Sequence, residues 1–294
     1  MSAEAPAPDR DRSAAGTTAE LFRLSGGGND FLALVEPPQA PSPPRIRAWC
    51  TRGLSLGADG LFVLRRLAGE VVMDHHNADG RPARLCLNGT RCAARLAFHL
   101  GWATERVVLR TGAGPVVASP AAGDDVRLEL APPAEPPERR ALELDGVAWE
   151  GFFAVVGVPV FVLPWSGSLR DAPVAELGAR LRSHPAFGAD GANVMFVRGR
   201  PPARLEMRSY ERGVEAETLA CGTGALAACA AAVAEGFSLP IRVLTGGGCE
   251  FAVDGTVGGD GRLASWSLTG DARLLARLRV EDGAERLPAT PAWT

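Results

Sequence analysis

Two short segments carry residues that could do chemistry together. One is Leu85-Cys86-Leu87-Asn88-Gly89 and the other is Leu219-Ala220-Cys221-Gly222-Thr223-Gly224. Each reads Cys-x-(Asn/Thr)-Gly and runs into an apolar helical pattern, to Leu100 in the first copy and through Ala225–Ala234 in the second. Asn88 and Thr223 are N-cap-type residues, and the glycines let backbone approach a ligand closely. A helix N-terminus has unpaired N–H groups and partial positive charge, so it attracts a carboxylate. It should also lower the pKa of a cysteine placed there and favour the thiolate. A single such cysteine reads as a small structural residue. Two in matched settings read as a pair facing each other across one substrate.

A thiol on each side of a carbon suits proton transfer from one face to the other. One cysteine, as thiolate, removes the proton, and the other, as thiol, returns one to the opposite face. The outcome is racemisation or epimerisation. Amides from two helix N-termini aimed at one carboxylate would stabilise the negative charge that develops at an amino acid's α-carbon. Such chemistry needs no cofactor, and the sequence has no G-x-G-x-x-G, no Walker loop and no paired Cys-x-x-Cys. His75-His76 lack a third ligand at sensible spacing, so no metal is expected.

The elements that must position these cysteines also recur. A glycine turn at Gly26-Gly27-Gly28-Asn29 is echoed at Gly157-Val158-Pro159. Gly57-Ala58 before Phe62-Val63 is echoed, at nearly the same offset as the cysteines, by Gly191-Ala192 before Phe196-Val197. Asn77 precedes Cys86 much as Glu211 precedes Cys221. The first helix is expected over 84–100, with a polar loop at 75–80 before it. Short apolar strands fill the rest of each half. The fold expected is α+β: two pseudo-symmetric domains, each a curled, mostly antiparallel sheet around a central helix. Residues 1–20 read as a disordered tail, 21–131 as the first domain and 132–145, rich in proline and charge, as a linker. Residues 146–270 read as the second domain and 271–294 as a strand returning to the first domain, then a tail.

Bulk composition is that of an ordinary soluble globular protein, with 22% charged and 46% apolar residues in 294. A net charge of −3 gives no polyanion-binding surface, and no run approaches the roughly 18 apolar residues of a membrane span. Nucleic acid and membrane are therefore not expected as partners. The six cysteines form no dense framework, so free thiols in a reducing cytoplasm are expected. Cys92 and Cys229 should be buried packing residues, and Arg91, inside its helix, a structural salt bridge or domain contact.

In order, Gly28-Asn29-Asp30-Phe31, Gly57-Ala58-Asp59-Gly60, Asn77-Ala78-Asp79-Gly80, Cys86-x-Asn88-Gly89-x-Arg91-Cys92, Asn193-Val194, Tyr210-Glu211-Arg212-Gly213 and Ala220-Cys221-Gly222-Thr223-Gly224 make a specific set. The sequence resembles the diaminopimelate epimerase family over about 21–278. That resemblance implies a cofactor-independent isomerase interconverting LL- and meso-2,6-diaminopimelate, in lysine and peptidoglycan precursor synthesis. It implies Cys86 and Cys221 as the acid/base pair, with the amides of Leu87, Asn88, Gly222 and Thr223 holding the α-carboxylate. It implies Asn29, Asn77, Asn193, Glu211 and Arg212 as further substrate contacts, Arg212 pairing with a distal carboxylate. The expected partner is a small amino-acid substrate, and a homodimer is compatible with the sequence. Three residues depart from the family pattern. Leu87 replaces a glycine, and Val158 and Val160 replace the Asn and His of a Gly-Asn-Pro-His motif. Leu87 is expected to narrow the pocket or bar a positive φ. The rival readings are an epimerase of another amino acid on this scaffold and, from another class, a thiol redox or non-catalytic amino-acid-binding protein.

Overall fold

The computed structural model describes residues 19–259 and 261–287. The tail read at 1–20 lies outside the described residues, except that Ala19 and Glu20 belong to the first strand; residues 288–294 also lie outside them. The first half runs β1 (Ala19–Gly26), β2 (Asn29–Val35), α1 (Pro43–Cys50), β3 (Gly60–Leu67), β4 (Glu70–Asn77), β5 (Pro82–Ala83), α2 (Leu87–His99), β6 (Val107–Thr111), β7 (Gly114–Pro120) and β8 (Asp125–Leu130). Next comes β9 (Glu138–Leu144). The second half runs β10 (Val147–Val156), β11 (Val158–Pro164), α3 (Val174–Arg182), β12 (Asn193–Arg200), β13 (Arg204–Glu211), β14 (Ala216–Thr218), α4 (Gly222–Ala234), β15 (Ile241–Thr245), β16 (Glu250–Val257) and β17 (Leu263–Asp271), and β18 (Arg273–Val280) follows it.

The pairings repeat strand for strand. β1 and β2 form an antiparallel hairpin, β2 is parallel to β3, β3 antiparallel to β4, β4 parallel to β6, and β6, β7 and β8 follow antiparallel. The second half has the same series from the β10–β11 hairpin to β17. Strands β8 and β17 pair antiparallel and join the halves. The strand after each half then crosses over: β9 adds to β10, and β18 adds to β1. Residues 138–144, read as linker, are thus a strand. Their proline-rich neighbourhood concealed it, and only Leu142 of that strand is buried.

Each sheet curls round its own helix. α2 touches strands β1–β4 and β6–β8, together with β18, while α4 touches β10–β13, β16 and β17. α4 is apolar on every side, Ala225 through Ala232 being buried, which suits a helix enclosed all round. One core runs through both halves, from Leu24, Phe31 and Leu96 to Val160, Met195, Leu226 and Phe251. The shorter helices cover the outer faces: α1 places Ile46 and Trp49 on Leu32 and Leu61, and α3 places Leu177 and Leu181 on Phe161 and Phe196.

Strand β4 extends through His75, His76 and Asn77, where a loop was expected, because its ladder with β3 continues to the Gly60–Asn77 pair. Val71, Met73 and His75 alternate inward along it. The first helix starts at Leu87, not 84, because Cys86 is extended (φ −137°, ψ 110°) and caps it.

Candidate active site

Both cysteines are N-caps. Cys86 Sγ accepts the amide N–H of Gly89 at 3.4 Å, and Cys221 Sγ accepts that of Gly224 at 3.4 Å. The Cys86 carbonyl takes the Thr90 amide at 2.8 Å, and the Cys221 carbonyl takes that of Ala225 at 2.9 Å. The backbone angles agree closely, −137°/110° and −125°/113°. Leu87, Gly222 and Thr223 stand in the first turns of their helices, where amides have no intrahelical acceptor.

The two first turns abut. A Cβ placed on Gly222 would stand 3.0 Å from Leu87 Cβ and 3.6 Å from Asn88 Oδ1. The hairpin tips reach across as well. A Cβ on Gly28 would meet Leu219 Cβ at 2.7 Å, and one on Gly157 would lie 3.9 Å from Leu85 Cδ2. Each half therefore lays its first hairpin on the segment leading to the other half's cysteine. Leu87 takes a helical backbone and bars nothing by φ. It is buried and fills the space that Gly222 leaves.

Glu211, the last residue of β13, links the pair. Its carboxylate accepts the Thr218 hydroxyl and the Cys221 thiol, and its charge also acts on Cys86. Loss of solvent pushes both thiols up, Cys221 well above the usual thiol range. At Cys86 the Gly89 amide opposes burial; at Cys221 the Glu211 charge adds to it while Thr223 and Gly224 oppose. The lowered thiol pKa expected at a helix N-terminus is thus overturned: where the two halves bury the thiols, desolvation outweighs the amides. Burial likewise raises the Glu211 carboxyl, against the hydrogen bonds from Thr218 and Cys221.

The asparagines divide into two groups. Asn88 is buried. Its Nδ2 donates to Asn29 Oδ1 at 2.8 Å and to the Gly27 carbonyl at 3.3 Å. Asn29 Nδ2 donates in turn to Asp59 at 2.9 Å, and Asp59 and Asp30 are held by Arg52. Asn193, also buried, accepts the Arg212 amide at 2.9 Å and fixes the start of the Arg212-Gly213 turn. Asn77 ends β4 as Glu211 ends β13, but it is exposed. The Arg212 guanidinium donates only to the Asp190 carbonyl, at 3.4 Å, and has no carboxylate partner among the described residues. Thr223 Oγ1 lies 3.4 Å from Cys221 Sγ. Cys92 and Cys229 are buried in the core. Thr218 and Asp271, whose carboxylate accepts the Gly27 amide at 2.8 Å, were not foreseen. Thr218 sits three residues before Cys221 and carried a signal; Asp271 carried none.

The family description "Diaminopimelate epimerase" matches residues 153–262. The diaminopimelate epimerase of Aquifex aeolicus (strain VF5) is 34% identical over 251 residues, covering 80% of this chain and 89% of that protein. The chain belongs to the diaminopimelate epimerase family. The family's member from Gemmatimonas aurantiaca (strain DSM 14586 / JCM 11422 / NBRC 100505 / T-27) is 34% identical over 286 residues, 87% of this chain and 97% of its own. The fold is shared with a hydroxyproline epimerase from Agrobacterium vitis solved with trans-4-hydroxy-L-proline: TM-score 0.65, 17% identity, 92% of this chain and 96% of that one. Against the family pattern, Val160 is buried and sits beside Asn193 in the parallel β11–β12 ladder. Val158 opens β11 as Asn29 opens β2, so the polar contact made by Asn29 has no counterpart across the pseudo-twofold.

Proposed function

We propose that this chain interconverts LL- and meso-2,6-diaminopimelate by passing the α-proton between Cys86 and Cys221, without a cofactor. The observation that supports this most is the abutment of two helix starts, each capped by one of these cysteines. The substrate's α-carboxylate would sit at the amides of Leu87, Asn88, Gly222 and Thr223. Preorganised donors of this kind are worth roughly 3 kcal/mol each when negative charge develops. One thiolate removes the α-proton, leaving the electron pair delocalised into that carboxylate, and the opposite thiol protonates the other face. Glu211 is placed to exchange a proton with Cys221, and Arg212, lacking an internal carboxylate partner, to receive the distal carboxylate. We place the reaction in the cytoplasm. All six cysteines are free thiols, and among the described residues no helix is long and apolar enough to cross a membrane.

Incubation with diaminopimelate in heavy water tests the reading. Solvent deuterium should enter the α-position together with stereochemical inversion, and both Cys86→Ala and Cys221→Ala should abolish the inversion. Wild-type turnover in either variant would sink the two-thiol scheme. A second reading, an epimerase for a related amino acid, draws on Val158 and Val160. It predicts exchange into another amino acid and none into diaminopimelate.

A further inference from the structure

A line of side chains runs from the boundary between the halves to the molecular surface, and Asn29 is one of its links. Arg91 is fully buried and donates from Nη2 to Asn88 Oδ1 at 2.8 Å. Asn88 Nδ2 donates to Asn29 Oδ1 at 2.8 Å and to the Gly27 carbonyl at 3.3 Å. Asn29 Nδ2 donates to Asp59 Oδ2 at 2.9 Å. Asp59 Oδ2 also accepts the Asp30 amide at 3.1 Å, and Asp59 Oδ1 accepts Arg52 Nη2 at 2.7 Å. Arg91 is anchored in turn: its Nε donates to the Asp271 carbonyl at 3.2 Å, and its guanidinium lies 4.9 Å over the Phe251 ring of the other half. The tip of the β1–β2 hairpin is cut to fit. A Cβ on Gly27 would stand 2.5 Å from Asn88 Oδ1 and 2.8 Å from Arg91 Nη2.

The two ends decide the sense of every bond between them. A guanidinium only donates, and an ionised carboxylate only accepts. Asn88 must therefore turn its oxygen to Arg91 and its nitrogen to Asn29. Asn29 must then turn its oxygen to Asn88 and its nitrogen to Asp59. Turning over either amide alone would set like against like at both of its contacts. With these bonds made, Asn29 keeps one Oδ1 lone pair and one Nδ2 hydrogen for a ligand.

The other half has the same backbone without this line. By order of elements and strand register, Asn29 corresponds to Val158, Asp59 to Ala192, Asn88 to Thr223 and Arg91 to Leu226. Three of these side chains cannot hydrogen-bond, and the Thr223 hydroxyl faces Cys221. Yet the Gly157 tip lies on Leu85 as the Gly28 tip lies on Leu219. Seating a hairpin on the opposite half thus requires no polar line. The four residues occur together on one side and are all replaced on the other, as parts of one device would be.

We propose that Arg91 and Asp59 are positioning residues: acting through Asn88, they lock the amide of Asn29 in one sense, so that Asn29 meets the substrate with a fixed donor and a fixed acceptor. The device is confined to one side of the pseudo-twofold, so a substrate held between the two helix starts is read in one orientation. The part given to the substrate rests on the reading above; the locked amide does not.

Two measurements on the full chain test this. The sequence has four asparagines, so [15N]asparagine labelling displays four side-chain amides. Arg91→Leu should shift the Asn29 side-chain signals, and Asp59→Ala should shift those of Asn88, although neither pair is in hydrogen-bond contact. The second measurement is KM for diaminopimelate. Asp59→Ala and Arg91→Leu should each raise KM about tenfold or more, with a smaller change in kcat. The double variant should rise no further than the larger single change, since one broken link already frees Asn29, whereas independent losses would multiply to about 100-fold. Asp59→Asn keeps an acceptor oxygen for Asn29 and should stay within about threefold of wild type. Unmoved Asn88 signals in Asp59→Ala, multiplying KM effects, or an Asn variant as poor as Ala would each overturn the relay. Where Arg91→Leu does not fold, the Asp59 variants decide. Wild-type protein that turns over no diaminopimelate would sink the substrate reading alone: the amide signals still decide the relay, and the KM comparison moves to the amino acid that takes up deuterium.

Discussion

A double-mutant cycle at Leu87 and Gly222 tests the contact on which the active site is built. A Cβ on Gly222 would lie 3.0 Å from Leu87 Cβ and 3.3 Å from Leu87 Cδ1. Unstrained carbon pairs sit at about 3.5–4.0 Å, so Gly222→Ala overpacks the interface, at about 1–3 kcal/mol. Replacing Gly by Ala in a helix returns up to about 1 kcal/mol, which leaves a net loss of roughly 0–2 kcal/mol. Leu87→Gly removes a buried side chain and should cost about 3–5 kcal/mol, from the lost packing and the glycine together. With Leu87 gone, the added methyl meets nothing on that side. Gly222→Ala should then be neutral or stabilising by up to about 1 kcal/mol, so the two changes couple favourably by about 1–3 kcal/mol. Urea unfolding of the four proteins measures this directly. Epimerase turnover should fall in Gly222→Ala, because the amide at 222 is pushed off its line. If Gly222→Ala costs the same, within about 0.5 kcal/mol, whether residue 87 is Leu or Gly, the two helix starts do not touch.

Two further outcomes are expected. Burial pushes His75 down to about 4 from an ordinary value of 6.5, and its Nδ1 has no hydrogen-bond partner among the described residues. The folded value lies below the unfolded one, so the neutral ring's contribution is complete above about pH 6.5 and is lost as pH falls towards 4. Between pH 7 and 4.5 the loss amounts to about 2 kcal/mol, which urea unfolding should find in the wild-type protein and not in His75→Leu. Arg212→Ala should raise KM for diaminopimelate roughly 10–100-fold, equivalent to about 1.5–3 kcal/mol of charge-assisted hydrogen bonding, with a smaller change in kcat. An unchanged KM would remove Arg212 from recognition of the distal carboxylate.

The cysteine motifs were legible because they occur twice, each followed by a helical pattern, and the duplicated strand order could be read from the same offset. Asn29 and Asn88 were legible as site residues, but their bond to each other was not, because it depends on how the β1–β2 hairpin settles on α2. Arg91 could be seen as a domain contact. Its partners Phe251 and Asp271 could not, since they come from the opposite half of the chain. The ionisation of the thiols was misread for a related reason: a helix start is visible in sequence, whereas the depth to which the other half buries it is not. β9 was hidden by composition, having a single fully buried residue, Leu142, in a stretch where proline and charge dominate.

The crossing of β9 and β18 has a consequence for how the molecule comes into being. Glu20, near the start of β1, is paired with Arg277, 257 residues later, so an N-terminal half emerging during synthesis has a raw edge until almost the whole chain has been made. Contacts so distant in sequence are slow to close. Neither half is a finished unit alone, since each is completed by the trailing strand of its twin. The same exchange that delays assembly ties the two thiol-bearing halves together, so that neither can drift away from the other without unzipping a sheet.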